Sequence, residues 1–328
     1  MYNSAVSQIK QKLSLFPTPA AGLALAIASL GWCWENNAAL GGYAQHSAAI
    51  VSALLACLLL AKFTLNPKRL LDELAHPVVG SVLPTFAMTL MVISKVLAGT
   101  AGQYLWLSAV AIHCVFLALF VIFRLKAFKI EQMAPSWFVP PVGLVVASLT
   151  NPGDATFAIA TALLEFGIVS YLIMLPVMLY RLIFCEALPD AAKPTLAILA
   201  APPNLCLAGY LSLVEQPSTL FTLFMLSLAL LMTLLVYLAF INLLRLPFSP
   251  AYAAFTFPVV ISATAIGKTA NFLEAEQQSA ALIDILYTIS YSELLIASAV
   301  VGYVAIRYLR HYLAKPVAKP VAAKPSCA

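Results

Sequence analysis

Two carboxylates, Glu165 and Glu293, fall deep inside apolar runs. An acid held away from water is a candidate for proton-linked chemistry, because it can carry a proton where few other groups can. The same acids can also serve as neutral hydrogen-bonding contacts between helices or subunits, while Asp284 lies nearer the end of its run and reads as interfacial. Of the histidines, His113 alone is centred in a run; His46, His76 and His311 fall near ends. Haem held within a bundle usually takes paired axial ligands, and one interior histidine does not supply them. The six cysteines are scattered without a CxxC pair, which indicates neither a disulfide framework nor a metal cluster. HExxH, GxSxG, P-loop and GxGxxG patterns do not occur, so hydrolase, ATPase and dinucleotide chemistry have no support. The expectation is a non-enzyme with no cofactor and no metal.

The backbone carries a second kind of chemistry. The chain divides into ten apolar segments, at about 17–34, 47–65, 77–98, 103–125, 137–151, 155–184, 194–213, 218–246, 251–272 and 279–309. Prolines concentrate in the odd ones: Pro17 and Pro19; Pro84; Pro140 and Pro141; Pro202 and Pro203; Pro258. Gly22 and Gly143 accompany them, and Pro176 is the exception among even segments. Proline removes an amide donor and kinks a helix, which lipid tolerates only where a neighbour or a watery cavity satisfies the freed carbonyls. Five kinked segments alternating with five plain ones predict an inner ring around a central path, with Gly22, Pro84, Pro140, Gly143, Pro202, Pro203 and Pro258 lining it. This is a weak repeat of a helical hairpin, five times over.

Composition explains why such a reading is needed. Of 328 residues, 62% are apolar and 9% charged, with a mean hydropathy of +0.95. A soluble domain carries roughly 25% charged residues, so an ordinary water-soluble enzyme is excluded, as are disorder and nucleic-acid binding. A spanning helix needs about 20 apolar residues, and the expected class is an all-α integral membrane protein with ten transmembrane helices. Of the eighteen Lys and Arg, all but Lys95 and Lys268 fall at the termini or in connections after even segments. Positive residues favour the cytoplasmic side, so both termini are expected there, in a multi-pass protein of the cell inner (plasma) membrane. Lys95 and Lys268 lie near the opposite ends of segments 3 and 9, where snorkelling to the interface and attraction of anions to a mouth are the two readings. Domain boundaries follow: a cytoplasmic segment at 1–15, a ten-helix domain at 16–310, and a tail at 311–328 whose Lys-Pro repeat AKPVAKPVAAKPSCA is expected to be disordered.

The odd segments carry a set of motifs in order: GLALAIASLGW at 22–32, HPVVGSVLPTFAM at 76–88, PSWFVPPVG at 135–143, LAAPPNLCLAGYLS at 199–212 and AFTFP at 254–258. In these the chain resembles the tellurite-resistance/dicarboxylate transporter family, which includes bacterial TehA and the plant guard-cell slow anion channels. The resemblance implies ten helices in five quasi-repeated hairpins, odd helices around a pore, a homotrimer, and passage of small anions across a lipid bilayer. It also implies that Phe257, beside Pro258, is the aromatic that gates the pore. An acid that the family carries before the sixth-segment proline is replaced by Leu175. The function expected is therefore an anion channel gated by Phe257. A proton-coupled carrier exporting tellurite, sulfite or a C4-dicarboxylate, using Glu165 or Glu293, is the alternative.

Overall fold

Lipid cannot satisfy backbone amides, so long apolar runs close their hydrogen bonds internally as helices. The computed structural model describes residues 10–313, and among these every regular element is helical. Residues 1–9 of the N-terminal segment and the Lys-Pro stretch 314–328 lie outside the described residues. Among the described residues seven helices are long and apolar enough to cross a membrane: Tyr43–Leu65, Gly99–Lys126, Asp154–Phe184, Lys193–Leu213, Thr219–Leu243, Pro250–Ala275 and Ala280–Leu313. The pair Pro67–Ala75 and Val79–Ser94, bent by 107°, makes an eighth if counted as one span. Two further apolar stretches, Ala20–Ala38 and Pro135–Leu149, fall outside that count of spanning helices.

Burial separates the segments by parity. In Tyr43–Leu65, Gly99–Lys126 and Asp154–Phe184 28% of the most apolar stretch is buried, against 72% in Lys193–Leu213 and Pro250–Ala275. Side-chain size accounts for this. The eighth segment is leucine-rich (LFTLFMLSLALLMTLLVYL at 220–238), whereas the ninth reads ISATAIG at 261–267. Small residues let backbones approach, which in lipid supplies the packing that hydrophobicity cannot. Val145 shows how close that approach is: a Cβ built on Gly167 or Gly209 would lie 2.2 Å or 2.5 Å from its methyls. Each even helix packs on the odd segment before it, and the odd segments pack on one another in sequence, the ninth returning to the first to close a ring.

The prolines do something other than bend continuous helices. Segment 7 begins as a 3-10 helix, Lys193–Ala200, and becomes α-helical at Ala201–Leu213 with Pro202 and Pro203 in its first turn. Segment 9 repeats the pattern, with Pro250–Phe255 giving way to Thr256–Ala275 and Pro258 at its third position. Pro84 separates Val79–Val82 from Thr85–Ser94, Pro140 and Pro141 open Val139–Val142, and Pro19 precedes Ala20–Ala38. The first turn of an α-helix needs no amide donor, so proline is accommodated there rather than straining the middle. The odd segments are thus broken and restarted, whereas Pro176 stands inside the continuous Phe157–Phe184 helix.

A helix that the hydropathy pattern hides is Pro67–Ala75, between segments 2 and 3. It starts at a proline and places Leu70 and Leu74 four residues apart, the amphipathic spacing, with Leu74 buried.

Candidate functional site

The restarts of the odd segments surround a cavity of about 950 Å³. Each odd segment contributes its N-terminal part, and the lining reaches no further along them than Gly22, Met88, Gly143, Leu205 and Pro258. Phe257 and Pro258 therefore stand at the floor. Phe257 is buried, 8% exposed, just past the point where the tighter 3-10 turns of segment 9 widen into α-helix.

Of the residues singled out in the sequence, Gly22, Gly143, Pro202, Phe257 and Pro258 are brought together at this cavity. Pro84, Pro140 and Pro203 are buried in the walls without lining it. Gly143 is required by proximity, since a Cβ there would lie 2.8 Å from Met88 Sδ and 3.0 Å from His113 Cε1. His113 in turn donates from Nε2 to the Pro140 carbonyl at 2.8 Å, an interior hydrogen bond that fixes the broken fifth segment.

Charged residues fasten the rim. Lys62, 2% exposed, reaches Glu73 Oε1 at 2.6 Å and Thr18 Oγ1 at 2.8 Å, and Thr18 donates to the other Glu73 oxygen. This ties segments 1 and 2 to the Pro67–Ala75 helix. Arg181 is buried and donates to three carbonyls: Met133 at 3.1 Å, Glu186 at 2.6 Å and Glu131 at 2.7 Å. Among the described residues no carboxylate pairs with it, so its charge is met by backbone dipoles and stays positive toward the cavity that it lines. Arg124 donates to the Ala75 carbonyl and to Gln132 Oε1 at 3.4 Å. His76 accepts from the amides of Val78 and Val79 on Nδ1 at 3.2 Å and 3.1 Å, capping the start of segment 3. Partial burial, with a smaller contribution from the Arg124 charge, holds the His76 imidazole below its ordinary pKa of 6.5.

The two deep carboxylates part company. Glu165 is exposed on the outward face of segment 6, beside Ala162, Phe166 and Val169. Glu293 is buried and ends a polar chain across segments 7 to 10. Asn204 donates to Thr233 at 2.9 Å, Thr233 meets Ser262 at 3.4 Å, and Glu293 accepts from Ser262 and Tyr237. Asn204 Oδ1 is buried with no partner among the described residues. Grouping the basic residues as loop charges conceals Lys62 and Arg181. Both lie three residues inside the ends of apolar helices, where a charge must be paired or hydrogen-bonded.

Among the described residues no group of three or more His, Cys, Asp or Glu is placed to hold a metal. Residues 16–309 match the family described as SLAC1, voltage-dependent anion channel. Two curated relatives from Methanocaldococcus jannaschii, both named uncharacterized transporters, are 28% and 27% identical over 221 and 217 residues. Those matches cover 59% and 58% of this chain and 65% and 62% of the relatives, slightly under two thirds of their length.

Proposed function

The chain belongs to the SLAC1 family of voltage-dependent anion channels and transporters, and on that premise we propose that it forms a gated path for small anions across the cell inner membrane. In this reading ten helices span the bilayer as five hairpins, both termini are cytoplasmic, and the functional unit is a homotrimer. The path runs through the ring of odd segments, with Phe257 as its gate.

The observation that carries the reading is the position of Phe257 at the floor of the cavity. An apolar ring across a narrow passage bars a hydrated ion until its rotamer changes. The helices Ala201–Leu213 and Thr256–Ala275 begin at that level, so their positive dipole ends face the path and favour an anion without a fixed cation at its centre. Small oxyanions and halides fit a site of this kind. Ion replacement in proteoliposomes under voltage clamp tests it: reversal potentials should follow the anion gradient and ignore the cation.

The buried Glu293 chain favours a second reading, a proton-coupled carrier exporting tellurite, sulfite or a C4-dicarboxylate. A carrier would give saturable flux that depends on the pH gradient, whereas the channel gives current that scales with anion concentration.

A further inference from the structure

Gly143 lines the deep end of the cavity, where segment 5 passes from the helix Val139–Val142 into the 3-10 turn Gly143–Val145. Its backbone angles, φ −60° and ψ −20°, are those of an ordinary helical residue, so conformation does not call for glycine there. Space does. A Cβ at this position would lie 2.8 Å from Met88 Sδ and 3.4 Å from Met88 Cε, on segment 3, and 3.0 Å from His113 Cε1, on segment 4. Non-bonded carbons rest about 3.5–4.0 Å apart, so the end of Met88 occupies the hollow that a side chain would fill.

The two neighbours differ in freedom. His113 is fully buried and donates from Nε2 to the Pro140 carbonyl at 2.8 Å, which ties its ring to segment 5 itself. Met88 ends in an unbranched thioether on rotatable bonds, and it lines the cavity together with Gly143 and Phe257. Segments 3 and 9 both pack on segment 1, so Met88 and Phe257 reach the deep end of the cavity from either side of it. A side chain at position 143 would therefore evict the thioether rather than the imidazole. Met88 is 3% exposed, and the space open to it is the cavity. We propose that Gly143 is a seat that holds Met88 clear of the path, and that Met88 unseated is a second side chain that closes it. This rests on the reading of the cavity as part of the anion path. An apolar thioether swung across a narrow passage adds to the dewetting barrier as an aromatic ring does.

Gly143→Ala is the direct test, read in two ways on the full chain. In maltoside micelles, chloramine-T converts accessible thioethers to sulfoxides, and mass spectrometry gives the rate at each methionine. Oxidation of Met88 should rise at least threefold in Gly143→Ala, while Met91, fully buried on the same helix, should not change. Under voltage clamp, Gly143→Ala added to Phe257→Ala should cut the anion current of Phe257→Ala at least fivefold, and Met88→Ala added to both should restore it. Unchanged oxidation of Met88, or a joint rise at Met91, would overturn the seat. Faster oxidation with an undiminished current would overturn Met88 as a closing side chain. If Gly143→Ala does not fold, recovery of folded protein in Met88→Ala/Gly143→Ala upholds the seat, whereas failure of both variants assigns the clash to His113 and overturns it. Faster oxidation of Met88 in a protein whose Phe257→Ala variant passes no anion current would uphold the seat and defeat the path.

Discussion

Tyr237 on segment 8 donates its hydroxyl hydrogen to Glu293 on segment 10, and Ser262 of segment 9 donates to the same carboxyl. Three helices thus share one acidic side chain. Glu293→Gln keeps an oxygen acceptor there but cannot ionise. In a channel, the variant should retain anion current and reversal potential with only folded yield altered. Loss of pH-gradient dependence with intact protein would instead establish the carrier. Glu165→Gln is the matched control, and because Glu165 is exposed on the outer face it should leave both properties unchanged.

Glu73→Ala should destabilise the fold strongly, since it leaves Lys62 buried without its counter-ion. Breaking a buried ion pair costs about 3–5 kcal/mol. Glu73 keeps 20% of its side chain exposed, so the lower end of that range is expected. The check is thermal unfolding in detergent, with Lys62→Met/Glu73→Leu recovering part of the loss. Equal melting of Glu73→Ala and the parent would contradict the fastening role.

Gly167→Ala should cost about 1–3 kcal/mol through overpacking, because its new Cβ would meet Val145 at 2.2 Å. Val145→Ala introduced into the same chain should relieve the clash. Melting temperatures of the single and double variants decide this; additive losses would place the strain elsewhere.

How much of this is legible in the sequence depends on the kind of signal. Long apolar runs and the confinement of prolines to alternate segments are properties of composition, and both survive in the helices. What the prolines do was not legible, because a mid-helix kink and a helix restart place the same residue in the same run. Pro202 and Pro203 read as a kink in the sequence, and in the fold they open an α-helix that follows a 3-10 stretch. The Pro67–Ala75 helix was obscured by Lys68, Arg69, Asp72 and Glu73, which lower its hydropathy while its leucines keep helical spacing. Glu165 and Glu293 look equivalent in sequence, and only helix rotation separates an outward acid from a buried one. Phe257 owes its selection to the family resemblance, since a phenylalanine beside a proline says nothing of a cavity.

Acidification should loosen the start of segment 3. His76 accepts from two amides through Nδ1, and protonation turns that nitrogen into a donor. Its imidazole pKa is lowered in the fold, by partial burial first and by Arg124 second. The stabilisation is therefore complete above the unfolded value of 6.5 and is lost as pH falls below it toward the folded value. A lost cap costs about 1 kcal/mol, and the exposure of His76 keeps the effect at or under that figure. Stability measured from pH 7.5 to 5 should fall more steeply in the parent than in His76→Ala; parallel profiles would exclude His76 as the group responsible.

The central claim is that the Phe257 ring closes the path, and Phe257→Ala in a planar bilayer tests it most directly. Removing the ring leaves an opening at the cavity floor, and the dewetting barrier to a hydrated anion should drop. Stability should suffer less than the about 3–5 kcal/mol of a fully packed phenylalanine, because one side of the ring faces the cavity. The account predicts a persistent anion-selective current in the variant where the parent is closed or nearly so. A folded variant whose conductance matches the parent would contradict it.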